Sequence, residues 1–423
     1  MSSSSPIKTR RVFYIPGYDP IHPRRYRELY RTESAAQGAI SGYEVTLRPK
    51  TTKGPYGWHV TGAIDGAVTD ADIEVLYWSD IVRDSMDGSI PATYLSLIRT
   101  ASVYIFSGAL FRLMRLRKGP VIAALYPVVF LLVQLVIALG LGYLTAAFTG
   151  YAIYSLGMWV EGAVTGFDFA TLLYLSLAIS FVAGIAVAWA LLRWFKAKDN
   201  KFFAYYLMHD YSFSAKSLGA NPKALEYRIS DFADTIAEAL KTDTDEVLVI
   251  GHSSGAHLAV SILSDLIRAG RVPKHGPVLS FLSLGQVVPM VSFLPRASRL
   301  RADLAYLSTR NELTWVDVTA PGDGCAFALC DPVAVTGVAP EGQKWPLILS
   351  AAFTQTLSEE RWKELRWRFF RLHFQYLCAF DRPDHYDYFQ ITAGPLTLYD
   401  RYNGKAPSKS RITTPVNRYR SLA

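Results

Sequence analysis

A chain of 423 residues is long enough for two or three domains, or for one domain with a large insertion. Half of its residues are apolar and its net charge is +8, which allows nucleic acid or an anionic membrane surface as a partner. Its three cysteines form no C-x-x-C pair, which argues against a zinc site and against a disulfide-stapled secreted domain. Residues 1–11 contain no apolar core, so they are not expected to be a signal peptide.

The first predicted element is a strand that ends in a sharp turn. Residues 11–20 read Arg-Val-Phe-Tyr-Ile-Pro-Gly-Tyr-Asp-Pro, in which β-branched and aromatic residues precede a Pro-Gly pair. A helix with a basic face is predicted over Pro23–Gly38. Further strands are predicted over Tyr43–Leu47, Trp58–Ile64 and Ile73–Trp78. Such an early set of strands is what a doubly wound or mixed sheet requires.

Two long apolar segments follow, joined by a short acidic connector. Val121–Ala147 and Phe169–Leu192 each exceed the roughly 20 residues that a helix needs to cross a bilayer. The outer flanks are basic and contain Arg112, Arg115, Arg117 and Lys118 before the first segment and Arg193, Lys196, Lys198 and Lys201 after the second. The connector carries Glu161 and Asp168 but no Lys or Arg. The positive-inside rule therefore predicts a membrane hairpin with both flanks in the cytoplasm and the connector outside.

The segment before the hairpin, Tyr94–Leu116, is also apolar but is interrupted by Arg99. It is interpreted as a helix that lies at the membrane interface or leads into the first span. An ordinary packed helix fits the same pattern.

A strand, a tight turn and a helix follow one another directly after an amphipathic helix predicted over Lys223–Leu240. Val247–Ile250 is predicted to be a buried strand, the sequence Gly-His-Ser-Ser-Gly occupies residues 251–255, and helical spacing runs from Ala256 to Arg268. In this context the G-x-S-x-G pattern resembles the nucleophile turn of the α/β-hydrolase superfamily. The flanking glycines would let strand and helix pass closely while Ser253 adopts a strained backbone conformation.

The resemblance implies roles for several other residues. Ser253 would be the nucleophile, and the amide of Ser254 would point at the developing oxyanion. Gly17 and Tyr18, in the turn after the first strand, would complete the oxyanion hole, although the His-Gly pair common in the superfamily is absent here. The resemblance also implies that an acid follows the serine and that a histidine comes last.

The acid is expected in a loop directly after a later strand. Strands are predicted over Val278–Leu284 and Leu313–Val318, and Asp323 lies in a Pro-Gly-Asp-Gly loop after the second of them. Asp323 is the first candidate, Asp317 within the strand is the second, and Asp331 before a proline is the third.

Only His373 and His385 come late enough in the chain to be the base. His373 falls inside Leu357–Phe380, which is predicted to be one long helix with an apolar stripe, where a packing role is more common. His385 falls in a polar loop fitted with aromatic residues, which suits a mobile catalytic base, and it is preferred. His252 and His257, close to Ser253 in sequence, are expected to serve local packing.

Two basic regions remain. Arg361, Arg366, Arg368 and Arg371 would contact anionic lipid headgroups or form a solvated helix face. Residues 401–423, which carry no acid, are expected to form a flexible basic tail.

These elements predict an α/β fold: an α/β-hydrolase-like doubly wound sheet with an inserted two-helix transmembrane hairpin. Residues 1–100 and 201–400 would form the hydrolase domain, with the catalytic residues in the second part. Residues 101–200 would form the membrane insertion, with spans at about 121–147 and 169–192.

The function expected from this reading is a membrane-anchored serine hydrolase that cleaves an apolar acyl ester through an acyl-serine intermediate. The bilayer and the ester are its expected partners, and neither nucleic acid, a metal nor an organic cofactor is expected. An acyltransferase using the same three residues and a catalytically inactive membrane scaffold are the alternatives.

Overall fold

The protein has an α/β fold, as predicted, and it is built on a mixed sheet of eight strands. The computed structural model describes residues 6–86, 88–161 and 169–423. The strands are β1 Thr9–Ile15, β2 Glu44–Pro49, β3 Gly57–Ile64, β4 Ala67–Val75, β5 Glu246–His252, β6 Val278–Leu284, β7 Leu313–Thr319 and β8 Leu347–Ser350.

Helices occupy most of the remaining chain. Those before β5 are α1 Arg24–Ser41, α2 Ser79–Met86, α3 Ile90–Phe106, α4 Ala109–Leu116, α5 Lys118–Glu161, α6 Phe169–Ala197, α7 Asp199–Phe202, α8 Ala204–Lys216 and α9 Lys223–Ala239. Those after β5 are α10 Gly255–Arg268, α11 Val288–Ser292, α12 Ser298–Leu307, α13 Pro332–Thr336, α14 Phe353–Thr356, α15 Glu359–Leu365, α16 Phe369–His373, α17 Tyr388–Ala393 and α18 Leu398–Tyr402, with a 3₁₀ turn at Gln375–Leu377.

The strand order across the sheet is β2-β3-β4-β1-β5-β6-β7-β8. The β2–β3 and β3–β4 pairs are antiparallel, whereas β4–β1, β1–β5, β5–β6, β6–β7 and β7–β8 are parallel. Strands β5 and β7 are buried along their whole length, as expected of central parallel strands covered on both faces. The carboxyl ends of β1, β5, β6 and β7 therefore meet at one edge of the sheet.

The chain divides into two compact units. Unit 1 comprises Met1–Ser85, Ala101–Ala123 and Phe213–Ala423 and contains the sheet. Unit 2 comprises Met86–Thr100 and Ala124–Ser212 and contains most of the two longest helices.

In the part of the chain that the structure describes, two helices are long and apolar enough to cross a membrane, which confirms this part of the prediction. They are α5 with 44 residues and α6 with 29. Within unit 2 their backbones meet at two glycines: a Cβ on Gly142 would lie 2.6 Å from the Gly184 carbonyl oxygen, and one on Gly184 would lie 2.7 Å from that of Gly142. Small residues of this kind allow close helix packing in lipid. The predicted connector begins as helix, since α5 continues to Glu161, and its remaining part, residues 162–168, lies outside the described residues.

The apolar segment before the hairpin forms two helices rather than one. Helices α3 and α4 meet at a bend of 72°. Gly108 lies at the bend with φ +73°, a conformation that glycine adopts without steric cost.

The predicted long helix Leu357–Phe380 does not form as one element. Helix α15 ends at Leu365, and α16 starts at Phe369 after Arg368, whose backbone leaves the helical region at φ −99° and ψ 66°. The break reorients the chain so that Leu372, His373 and Tyr376 all become buried. A straight helix would present one continuous stripe, whereas here two short helices each bury their own residues.

Residues 401–423, expected to be a flexible tail, are hydrogen-bonded to other residues of unit 1. Ile412 N donates to Leu329 O at 2.7 Å, and Arg301 Nε donates to the Ser421 carbonyl at 2.8 Å. Asn417 is buried and its side-chain amide donates to Ser292 O at 3.1 Å. Backbone pairing and one buried amide, which a charge count does not register, hold this segment in place.

Candidate active site

The candidate site lies at the carboxyl edge of the parallel strands. The turn after β1 holds Gly17 and Tyr18, the turn after β5 holds Ser253, the turn after β6 starts with Gly285, and the turn after β7 holds Asp323. Side chains that follow neighbouring parallel strands converge at one edge, which is where α/β proteins place their sites.

Ser253 joins β5 to α10 in a left-handed conformation. Its φ is +57°, which is uncommon for a residue with a side chain and costs of order 1–3 kcal/mol. Its amide donates to Leu284 O at 2.9 Å, which ties the turn to the end of β6. The strain fits the prediction from the sequence that this serine lies on a sharp strand-to-helix turn.

The two glycines that flank this turn have no room for a side chain. A Cβ on Gly251 would lie 2.6 Å from Ala256 Cα, and one on Gly255 would lie 2.1 Å from Ile15 O. Both contacts are with backbone atoms and cannot be relieved by rotating a side chain. The glycines of the G-x-S-x-G pattern are therefore required by the close passage of β1, β5 and α10.

The turn after β1 packs directly on the serine turn. A Cβ on Gly17 would lie 3.0 Å from Ser253 Cβ and 3.2 Å from Ser254 Oγ. The Tyr18 amide donates to Ser254 Oγ at 2.8 Å. The structure thus brings together the three residues predicted for the oxyanion hole, and it places the Ser254 hydroxyl on one of the predicted donors.

Asp323 is buried and fully engaged. Its amide donates to Ala320 O at 2.9 Å, which closes the turn after β7. Its Oδ1 accepts the Cys325 amide at 2.8 Å, while its Oδ2 lies 2.7 Å from His373 Nδ1 and accepts the Tyr376 hydroxyl at 3.0 Å. The carboxylate is therefore fixed in orientation and is directed at His373.

His373 presents its second ring nitrogen without a partner. Nδ1 is hydrogen-bonded to Asp323, so Nε2 carries the lone pair when the ring is neutral. Nε2 is buried and has no hydrogen-bond partner among the described residues. Gly285 makes room for the ring, because a Cβ there would lie 3.0 Å from His373 Cε1. The ring thus lies beside the end of β6, to which the Ser253 amide is bonded.

The pairing predicted between Asp323 and His385 does not occur. His385 Nδ1 lies 2.8 Å from Asp384 Oδ2, on an acid that is mostly exposed. The break between α15 and α16 instead brings His373 to Asp323. No proline or glycine marks this break in the sequence, so the pattern of residues 357–380 gave no local signal for it.

His252, expected only to pack, supports His373. It is buried, its ring stacks on the His373 ring with centroids 4.9 Å apart, and its Nε2 lies 3.1 Å from the His373 carbonyl oxygen. Since a carbonyl only accepts, Nε2 carries the proton and Nδ1 accepts the Tyr14 hydroxyl at 3.0 Å. Burial, followed by charge repulsion from His373, lowers the pKa of His252 well below its usual range. His252 is thus a neutral support for the backbone of His373.

The other two candidate acids, Asp317 and Asp331, form hydrogen bonds that stabilise the fold. Asp317 lies inside β7, where its Oδ1 accepts the Ser283 hydroxyl at 2.5 Å. Burial raises the pKa of Asp317 to about 8. Asp331 caps α13 by accepting the amides of Val333 and Ala334. Neither carboxyl is hydrogen-bonded to a histidine among the described residues, so Asp323 is the acid that the geometry favours.

Asp323 and His373 belong to a cluster of three residues whose side chains are of types that can bind a metal ion. Donor atoms of Asp323, Cys325 and His373 all lie within 4.8 Å of one another. Both oxygens of Asp323 and Nδ1 of His373 are already in hydrogen bonds, which an ion bound at those atoms would have to break. The donor set is better explained as a hydrogen-bonded acid–base pair than as a metal centre.

No family model, curated protein or solved structure matches this chain.

Proposed function

We propose that this protein is a membrane-anchored serine hydrolase of the α/β-hydrolase type, with Ser253 as nucleophile, His373 as base and Asp323 as acid. The observation that carries the proposal is the combination of a left-handed serine on a strand-to-helix turn with a buried histidine whose Nδ1 is held by a carboxylate. The unpartnered Nε2 of that histidine is the atom that would accept the serine proton.

The reaction would proceed in two steps. In the first, Ser253 Oγ attacks the ester carbonyl carbon while His373 Nε2 takes its proton, and that proton then passes to the leaving alcohol. In the second, water gives a proton to His373 and attacks the acyl-serine, which releases the acid and restores the serine. Asp323, whose charge is also stabilised by the Tyr376 hydroxyl, would hold the imidazole in its reactive tautomer and stabilise the imidazolium.

The oxyanion would be stabilised by the turn after β1 and by the start of α10. The Ser254 amide lies in the first turn of that helix, where the helix dipole favours negative charge. Because the Tyr18 amide donates to Ser254 Oγ, the proton of that hydroxyl is available to another acceptor. The Ser254 hydroxyl is therefore a further proposed donor, beside the amides of Gly17 and Ser254, and the Tyr18 amide, predicted to be a direct donor, would instead orient that hydroxyl.

The proposed substrate is an ester with an apolar acyl chain. This part rests on location, because two membrane-length helices would keep the site close to lipid. The catalytic residues would face the cytoplasm, as the basic flanks of the two helices favour. No metal or organic cofactor takes part in these steps.

The proposal is tested by labelling the full-length protein in detergent with a fluorophosphonate, followed by peptide mapping. The probe should react once, on Ser253, and Ser253→Ala should remove the labelling. Ser254→Ala, which keeps the nucleophile, is the matched control and should still be labelled, more slowly if its hydroxyl assists. An unlabelled wild type, or a Ser253→Ala variant labelled as strongly, would rule out the proposal.

A further inference from the structure

We propose that residues 361–371, termed here the docking segment, form a surface that binds an anionic lipid bilayer beside the start of α5. This inference concerns binding and does not require Ser253 to be a nucleophile. It is carried by exposed aromatic side chains, by local charge and by contacts that connect the segment to the first turn of the membrane helix.

The docking segment exposes three aromatic side chains within four residues. Trp367 is 72% exposed, Phe369 is 42% exposed and Phe370 is 39% exposed. Large aromatic groups seldom protrude together from a surface that meets only water. Tryptophan in particular is enriched where a protein meets the headgroup region of a membrane, because its ring is apolar and its N–H is polar.

The segment is also basic. It contains the five cations Arg361, Lys363, Arg366, Arg368 and Arg371 and the single acid Glu364, which gives a net charge of +4. Two further acids, Glu359 and Glu360, directly precede it and reduce the net charge of 359–371 to +2. Arg366, Arg368 and Arg371 are exposed, and Arg368 and Arg371 share an ion pair with Glu364 at 3.2 Å. Such an exposed pair contributes little to stability, so lipid phosphates can replace Glu364 as the partner of these guanidinium groups.

Contacts within unit 1 place this surface beside the start of the membrane helix. A Cβ on Gly324 would lie 3.1 Å from Phe369 Cδ1, and one on Gly119 would lie 3.4 Å from Gly324 O. Gly119 is the second residue of α5. Only the width of Gly324 therefore separates Phe369 from the point where the apolar helix begins.

Helix α4, which directly precedes α5, has the same combination of side chains on its exposed face. Phe111, Met114 and Arg115 are exposed, as is Lys118 at the start of α5. The residues that directly precede the membrane helix in the chain are thus apolar and basic, as the docking segment is. Cations and exposed aromatic rings would also suit a single-stranded nucleic acid, whose bases stack on such rings. Continuity with a membrane-length helix, which a nucleic acid would not need, favours the bilayer.

The proposed surface is in contact with the acid turn and is continuous in the chain with the base. A Cβ on Gly322 would lie 2.7 Å from the Trp362 ring, and Phe369 packs on Gly324. The two rings therefore contact the glycines on either side of Asp323. His373 follows Arg371 by two residues in α16. A bilayer bound to the docking segment would therefore lie next to the residues proposed to perform acyl chemistry.

The test is hydrogen–deuterium exchange of the full-length protein in two kinds of nanodisc. One kind contains phosphatidylcholine alone, and the other contains roughly 30–40% phosphatidylglycerol, which supplies anionic headgroups. Amides of residues 361–371 should exchange about fivefold more slowly in the anionic discs, and 0.5 M salt, which shortens the Debye length to roughly 4 Å, should reverse the effect. Quenching by brominated lipid should reach Trp367, so that Trp367→Phe lowers the quenched fraction.

Two matched variants distinguish an effect of the cations in the docking segment from an effect of the overall positive charge of the protein. Arg366→Gln/Arg368→Gln/Arg371→Gln should lose the protection, whereas Lys241→Gln/Lys274→Gln, at the amino edge of β5 and β6, should keep it. Equal exchange of wild-type residues 361–371 in both kinds of disc, together with unchanged quenching in Trp367→Phe, would overturn the proposal. Protection by a short single-stranded RNA in detergent but not by anionic discs would overturn it in favour of nucleic acid. These readouts are independent of ester hydrolysis, so failure here and failure of the proposed function can be told apart.

Discussion

Two histidines compete for the role of base, and the carboxylate of Asp323 distinguishes them. It lies 2.7 Å from His373 Nδ1, whereas His385 is hydrogen-bonded to the largely exposed Asp384. A carboxylate held against one ring nitrogen directs the other nitrogen and stabilises the charged ring that forms during proton transfer. His373 is held by a buried acid, whereas His385, itself mostly buried, is held by an acid that is 66% exposed, so only His373 has the partner that this role requires.

The first prediction follows from this difference. His373→Gln should lower kcat/KM for an ester by about 10³-fold or more, since removing one member of a serine triad leaves only binding and oxyanion stabilisation. His385→Gln, the matched control, should stay within about twofold of the wild type. The measurement is steady-state hydrolysis of a p-nitrophenyl ester in detergent. The reverse order of the two effects would restore His385 as the base.

Single residues could be predicted from the sequence where a local pattern constrained them. The strand–turn–helix context predicts the strained turn at Ser253, and the position of Asp323 after a strand predicts its place at the edge of the sheet. The pairing of His373 with Asp323 is not predicted, because it depends on the break between α15 and α16, which no proline or glycine marks in the sequence. The support from His252 was missed for a related reason, since its partners Tyr14 and the His373 carbonyl are distant in sequence.

At the scale of elements, the periodicity of the long and central segments predicted the structure well. The prediction for β6 agrees at both ends, and α9 and β7 agree within a residue. Strand β8, with four residues at the sheet edge, was missed because so short a run shows no clear alternation. The long helix predicted over Leu357–Phe380 failed because tertiary burial of Leu372 and Tyr376 outweighs local helix preference.

Strand β7 provides a second prediction, because it carries a buried acid. Burial raises the pKa of Asp317 to about 8, while an unfolded aspartate ionises near pH 4. Between these values the folded state keeps a proton that the unfolded state loses, so the wild type loses stability as pH rises. Asp317→Asn cannot ionise and should therefore become more stable relative to the wild type as pH increases.

The expected change in this difference is about 2–3 kcal/mol between pH 5 and pH 7, an upper limit set by one proton. It would be measured as the difference in thermal unfolding between variant and wild type in the same detergent. Asp243→Asn, at an exposed position before β5, should show no such trend. A stability difference for Asp317→Asn that is constant with pH would contradict this account.

At the scale of the whole molecule, one chain combines a mixed sheet with two helices of membrane-spanning length. The sequence alone indicated both, since an apolar stretch without charges is a strong signal and the strands lie outside it. The orientation in the membrane stays a prediction, based on basic residues on the two outer flanks and acidic ones in the connector.

The third prediction concerns this orientation. In intact cells a membrane-impermeant maleimide should label Thr165→Cys, in the connector, and should label Lys409→Cys only after permeabilisation. The wild type, with its three native cysteines, gives the background. Labelling of Lys409→Cys in intact cells, with protection of Thr165→Cys, would reverse the proposed topology.

The central claim is that Ser253 carries the acyl group between the two steps of the reaction. It is tested most directly by mixing the full-length protein with a medium-chain p-nitrophenyl ester, quenching with acid during the first turnover and mapping the product by mass spectrometry. The account predicts one acyl group, on the peptide that contains Ser253, and none in Ser253→Ala. Release of nitrophenol without an acylated peptide, or acylation at Ser254 or Cys325 instead, would contradict it.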